Sequence, residues 1–192
     1  MPTVPTVFGA EITLPAIGFG TGGLSGAAGV DAVSRALDVG YRLLDSAVNY
    51  ENEGAVGRAV RQSSVPREEI IVTSKLPGRR HAYDAAIATV EESLYRTGLD
   101  HLDLYLIHWP NPRVDRYVEA WQALITARDR GLVRAIGAGL LKVVLESSSD
   151  IPVNYINAPV LAHERNIATT QTVGSRHSPR AYSARVSSAT SP

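Results

Sequence analysis

Four side chains in this sequence have the types and order needed to hand a proton to an oxygen on which negative charge develops: Asp45, Tyr50, Lys75 and His108. The stretch Tyr41 to Tyr50, Y-R-L-L-D-S-A-V-N-Y, is an apolar run that ends on a carboxylate and presents a phenol five residues later. Charged side chains are rarely fully buried without a partner, so Asp45 at the end of that run calls for a cation nearby. Lys75, near the end of the apolar run I-I-V-T-S-K-L, is the candidate. Hydride reduction of a carbonyl leaves an alkoxide, and a site that performs it must deliver a proton to that oxygen. A Tyr hydroxyl, with a pKa of about 10 in isolation, can do so if a neighbouring ammonium favours the phenolate. A carboxylate beside the ammonium keeps it charged and fixed, and His108 can donate a hydrogen bond that polarises and orients the carbonyl.

These residues need a scaffold that brings them to one place. V-F-G-A-E-I-T-L (7–14) puts a Gly-centred turn between two short apolar pieces, which predicts a small hairpin. A-I-G-F-G-T follows as a short strand running into Gly18, Gly20, Gly22 and Gly23. The spacing is superficially that of a dinucleotide fingerprint, but no second strand ends on an acidic residue at the matching distance, so close backbone approach is the safer reading. A helix is predicted over 30–40 from Val30, Val33, Ala36 and Leu37 on one face, stopped at Gly40. A strand over 41–46 comes next, then a helix over 52–62, a break at Pro66 and a third strand ending at Lys75. Asp84 to Thr97 reads as a long amphipathic helix and 102–109 as a fourth strand ending at His108. The helix Tyr117 to Arg130, with Val118, Trp121, Leu124 and Ile125 apolar, then feeds a fifth strand, V-R-A-I-G-A.

Strand and helix thus alternate five times, which calls for right-handed crossovers and a parallel sheet covered by helices. A repeat of roughly 30 residues with short connections favours a (β/α) barrel over an open doubly wound sheet. In such folds the functional residues sit at the carboxyl ends of strands. Asp45, Lys75 and His108 end the second, third and fourth strands, with Tyr50 in the loop after the second, so all four are expected on one rim.

Bulk composition narrows the alternatives. The 192 residues suit one domain with ordinary apolar and charged content, and 19 basic residues balance 19 acidic ones, which gives no field to draw in nucleic acid or an anionic membrane. There is no Cys, which removes disulfides, thiolate zinc sites and thiol nucleophiles together and fits a reducing compartment. The five His show no metal-ligand spacing. The start M-P-T-V-P-T-V lacks a basic segment followed by an apolar run, and no stretch approaches the roughly 18 to 20 apolar residues of a membrane span. A cytoplasmic protein that binds neither nucleic acid nor membrane is expected.

The residues resemble the aldo-keto reductase family. The resemblance rests on D-S-A-V-N-Y-E-N-E-G-A-V-G-R-A-V around Asp45 and Tyr50, V-T-S-K-L around Lys75, L-D-L-Y-L-I-H-W-P around His108, and G-L-V-R-A-I-G at the fifth strand. It implies a (β/α)8 TIM barrel that acts as a monomer on a small carbonyl substrate, a keto sugar or simple aldehyde, with NADPH as hydride donor. It implies Tyr50 as general acid, Lys75 and Asp45 as its tuning pair, and His108 as substrate orienter. It also implies that Gly20, Thr21 and Asp45 lie along the nicotinamide ribose and that Trp109 lines the substrate pocket.

The later sequence departs from that family pattern. Ala138, Gly139, Leu140 and Leu141 stand where the family usually carries Val-Ser-Asn-Phe, Tyr155 stands in place of a Gln, and Ala158-Pro159 replaces His-Pro. H-E-R-N-I-A-T resembles the sixth helix and the start of the seventh strand, after which the match stops. Eight repeats typically need about 250 residues, with roughly 200 as a lower bound, so an incomplete barrel over 1–173, truncated at its C-terminus, is expected. A Ser-, Ala- and Arg-rich disordered tail is expected over 174–192, holding Arg176, Arg180 and Arg185.

Blander readings compete at each position. Asp45 and Lys75 could form a structural ion pair and His108 could be a satisfied core histidine; the four residues in order, with matching flanks, weigh against this. Trp121 and the Leu and Val stripes read as core, and Arg79, Arg80 and His81, which could approach an anionic ligand, read instead as a solvated loop. A catalytically silent truncated barrel, which misfolds or persists as an assembly partner through its unpaired sheet edges, is the alternative to an active reductase.

Overall fold

A computed structural model of the chain describes residues 12–111 and 114–138, with the backbone of three further short strands. The chain opens with β1 (Thr3–Val4) and β2 (Leu14–Pro15), paired antiparallel. The predicted hairpin therefore exists with its arms further apart than expected, because Thr3–Val4, and not 7–8, meets Leu14; residues 5–11 lie outside the described set.

Beyond it, strands and helices alternate. They are β3 (Phe19–Gly20), α1 (Gly26–Asp38), β4 (Leu43–Asp45), α2 (Glu53–Gln62), β5 (Ile71–Leu76), α3 (Tyr83–Thr97), β6 (Leu102–Ile107), α4 (Tyr117–Asp129) and β7 (Val133–Ala138). The five strands form one sheet in sequence order, every pair parallel. Helix stops follow the glycines: Gly98 caps α3 at φ 63° and Gly131 follows α4 at φ 75°, a conformation in which a Cβ is penalised.

The strands alternate their side chains between two faces. Leu44, Val72, Tyr105, Ile107 and Ile136 pack outward against Val33, Leu37, Val56, Val60, Val90 and Leu124 from the helices. Leu104, Leu106 and Ala135 point to the opposite, inner face, where Ile12 is buried against them with Leu14 and Ile71 alongside. Ile12 and Leu14 thus cover the inner face from Ile71 up to Leu106. The alternation that sends Leu104 and Leu106 inward also sends Asp45, Lys75 and His108 inward, with Lys75 in register with Leu106.

Two sequence expectations change. Val118 is 49% exposed; Leu124 is buried as expected, beside Ala120, Ala123 and Ala127, small residues that allow close approach to α3 and the sheet. His81, read as part of a solvated loop, is buried, whereas Arg79 and Arg80 on the preceding turn are exposed. Trp121 is half-buried against the core. Further along, β8 (Ile167–Thr169) pairs antiparallel with β9 (Val186–Ser188). The expected sixth strand, Tyr155, Ala158-Pro159 and the rest of the tail fall outside the described residues. No helix among the described residues is long and apolar enough to cross a membrane.

Candidate active site

Lys75 is the centre of the site. Its side chain is fully buried, with Nζ 2.8 Å from Asp45 Oδ1, 2.8 Å from the Ser46 carbonyl oxygen and 3.4 Å from the Tyr50 hydroxyl. The ammonium also lies 4.8 Å from the centroid of the Tyr50 ring. Burial pushes the Asp45 carboxyl up from its ordinary value, and Lys75, by charge and by hydrogen bond, opposes that rise.

Tyr50 ends a short 3-10 turn, Val48–Tyr50, that leaves β4. The turn is followed by Glu51 in the left-handed region at φ 55°, which redirects the chain into α2. His108, the residue after β6, meets the Tyr50 ring edge to face at 5.9 Å between centroids. Trp109 stacks on His108 at 6.0 Å and 11° between planes and is 44% exposed, so it forms a wall open to solvent. The four residues expected on one rim are therefore together, with Trp109 beside them.

Gly20 and Thr21 leave β3 next to Asp45. Gly20 pairs in register with Asp45, and a Cβ built on it would meet nothing within 4 Å. The buried Thr21 donates to the Asp45 carbonyl oxygen from its amide at 3.0 Å and from its hydroxyl at 3.1 Å. Its hydroxyl is thus engaged in holding β3 to the end of β4. Thr21 to Leu24 is a tight turn closed by a bond from the Leu24 amide to the Thr21 carbonyl oxygen at 3.0 Å. Gly23 in its third position has φ 79°, as a type II turn requires. A Cβ on Gly22 would lie 4.0 Å from Tyr50 Cζ, so the bare glycine leaves a gap between the turn and the hydroxyl-bearing end of the phenol. No Cβ at Gly23 or Gly26 would touch anything within 4 Å either. This glycine-lined opening beside Asp45 suits a ligand that approaches the backbone closely.

Sequence reasoning overlooked two residues just beyond Glu51. Asn52 is buried and spans Ser46, Thr21 and Leu24. Glu53 is buried at the first turn of α2, accepting from Ser74 Oγ at 2.6 Å and Arg96 Nε at 2.7 Å. Beneath it Tyr105 shares a hydrogen bond with Ser93 at 3.0 Å. Burial pushes the Tyr105 phenol well up, and Glu53 adds to the shift. The only hint in the sequence was Asn-Glu at a helix start.

Residues 16–154 match the model of the Aldo/keto reductase family. The chain belongs to that family. It is 49% identical over 160 residues to 2,5-diketo-D-gluconic acid reductase B of a Corynebacterium species, a match that covers 79% of this chain and 57% of that protein. An aldo-keto reductase of Mycobacterium avium is 42% identical over 180 residues, covering 91% of this chain and 62% of its own length. The chain thus spans less than two thirds of either relative. Among solved structures, an aldo/keto reductase of Brucella melitensis superposes with a TM-score of 0.67 at 36% identity, covering 79% of this chain and 59% of that one. A Bombyx mori aldo-keto reductase in complex with NADP gives a TM-score of 0.63 at 35% identity, covering 79% and 56%. Membership of this aldo/keto reductase family gives the five parallel strands and four helices their context: they are the TIM-barrel type anticipated from the sequence.

Proposed function

We propose that the protein reduces an aldehyde or ketone to an alcohol with NADPH as donor, Tyr50 serving as general acid. The observation that carries this reading is the placement of the Lys75 ammonium between the Asp45 carboxylate, at 2.8 Å, and the Tyr50 hydroxyl, at 3.4 Å. Tyr50 holds its proton at the phenol oxygen until negative charge develops on the substrate oxygen, then gives it up. Lys75, donating toward that phenol oxygen, favours the phenolate left behind, and Asp45 keeps the ammonium charged and oriented. His108, against the Tyr50 ring, orients the carbonyl, and Trp109 walls the substrate side. Residues Gly20, Thr21 and Asp45 would hold the nicotinamide end, with the Gly22–Gly23 turn alongside. Once bound, NADPH supplies the hydride for the carbonyl carbon.

The name of the Corynebacterium relative points to a keto sugar acid as the substrate class. Arg79, whose Nη1 donates to Asn49 Oδ1 at 2.5 Å one residue before Tyr50, is a cation available at the rim for a carboxylate. A cytoplasmic monomer built on a partial barrel over 1–173 remains part of the proposal. NADPH oxidation with a keto sugar acid or simple aldehyde, followed at 340 nm, is the test. Tyr50→Phe should abolish turnover while its circular dichroism is unchanged; equal rates for the two proteins would remove Tyr50 from its role. Lack of saturable NADPH binding in a fluorescence titration would support the silent-barrel alternative.

A further inference from the structure

The polar groups around Lys75 close into a ring, and Asn52 is the member with no role in the proposed chemistry. Lys75 bonds the Asp45 carboxylate and the Ser46 carbonyl oxygen. Ser46 Oγ donates to Asn52 Oδ1 at 2.9 Å. Asn52 Nδ2 donates to the Thr21 carbonyl oxygen at 2.5 Å and to the Leu24 carbonyl oxygen at 2.9 Å. Thr21 returns to the Asp45 carbonyl oxygen. The orientation of the amide is fixed by chemistry, since two carbonyl oxygens can only accept and must face the NH2 group. Both donors of Asn52 therefore fasten the two ends of the Thr21–Leu24 turn, while its acceptor faces the strand end that bonds Lys75. The side chain is buried, so a lost partner would not be replaced by bulk water.

We infer that Asn52 is a positioning residue that locks the glycine turn to the Lys75–Tyr50 pair, so that dinucleotide affinity depends on it. This rests on the reductase reading for its ligand, and on geometry alone for the lock. Asn52 thus ties the turn that flanks Asp45 to the strand end that bonds Lys75, and so sets the surface offered to the donor. An aspartate could still accept from Ser46 but could donate to neither carbonyl.

The test compares the unaltered chain with Asn52→Ala, Asn52→Asp and a control, Asp103→Asn. Asp103 is a buried carboxylate on β6 that accepts from the Val72 amide at 2.9 Å and pairs with Arg67 at 2.8 Å. It stands at the other end of the strands and offers a comparable loss of stability. Hydrogen exchange by NMR should show the Thr21 and Leu24 amides losing protection in both Asn52 variants and keeping it in Asp103→Asn. The NADPH dissociation constant should rise by roughly tenfold or more in the Asn52 variants, the fold-change expected from two lost hydrogen bonds. With an active preparation the defect should fall on KM for NADPH, with kcat at saturation within about threefold. Unchanged exchange at the turn, unchanged affinity, or the same response from Asp103→Asn would overturn the inference. No NADPH binding by the unaltered chain would refute the reductase reading instead, and the exchange comparison would then decide the lock on its own.

Discussion

Replacing Asp45 by Asn should cost more stability than replacing Asp45 and Lys75 together, and the geometry sizes the difference. Lys75 Nζ and Asp45 Oδ1 are 2.8 Å apart, with side-chain exposures of 0% and 12%. Unit charges at that separation attract by about 6 kcal/mol at an effective dielectric of about 20. After Asp45→Asn the ammonium keeps its contacts with Ser46 and Tyr50, so the net loss should be about 3 to 5 kcal/mol, the range for breaking a buried pair. Asp45→Asn/Lys75→Met removes both buried charges and should lie within about 1 to 2 kcal/mol of the unaltered protein. Urea unfolding at pH 7 with unchanged m-values measures all four corners of the cycle. A coupling energy below about 0.5 kcal/mol would refute the picture of a desolvated pair at the heart of the site. Where a single variant fails to fold, recovery of a cooperative transition in the double variant carries the same information. Lys75→Met alone adds a pH signature. Burial raises the Asp45 pKa and Lys75 opposes that rise, so without Lys75 the carboxyl is raised further. Between its ordinary value and that raised value the folded state binds more protons than the unfolded state. The variant is therefore steadiest in acid and loses stability as pH rises through that window.

Two further expectations concern the scaffold. A Cβ on Gly57 would fall 2.5 Å from Thr97 Cα and closer still to its carbonyl oxygen, whereas one on Gly54 would rest 3.5 Å from the Arg96 carbonyl oxygen. Gly57→Ala should destabilise by about 1 to 3 kcal/mol through overpacking of α2 on α3, while Gly54→Ala should be neutral or gain up to about 1 kcal/mol; similar melting temperatures for the two would contradict this packing. His81 has both ring nitrogens buried without a hydrogen-bond partner among the described residues, and burial lowers its pKa. The unfolded chain therefore takes up a proton near pH 6.5 that the folded chain resists, and stability falls as pH drops from about 6.5 toward the lowered folded value. His81→Leu should flatten that slope in denaturant titrations between pH 7 and pH 5, and identical slopes would dismiss His81 as its source.

The second through fifth strands were legible as short, nearly continuous apolar runs such as Leu102–Ile107 after Gly98, which is how strands buried on both faces read, and the four helices were legible from their longer apolar spacing. The pairing of Asp45 with Lys75 was legible for a related reason: a charge that closes an apolar run must be answered. Asn52 and Glu53 were not. Their partners Leu24 and Arg96 stand 28 and 43 residues away in sequence, and a polar pair at a helix start has an ordinary meaning as a cap or a dipole charge. Burial of His81 was hidden by its company, since Arg79 and Arg80 beside it are exposed. The hairpin was seen but misplaced, because strands of two residues carry almost no periodic signal.

The inner face of the sheet is graded from end to end. Ile12 and Leu14 cover Leu104, Leu106 and Ala135, a floor that reaches up to Leu106 in register with Lys75, while Asp45, Lys75 and His108 gather where strands give way to loops. Such a gradient separates what evolution can alter cheaply from what it cannot. Changes at the exposed rim positions Asn49, Arg79, Arg80 and Asn111 leave that apolar floor and the buried Ser46, Asn52 and His81 untouched, and a change in the floor is felt first as a failure to fold. A directed-evolution library confined to those exposed positions would vary the rim while leaving intact the apolar packing that the whole sheet depends on.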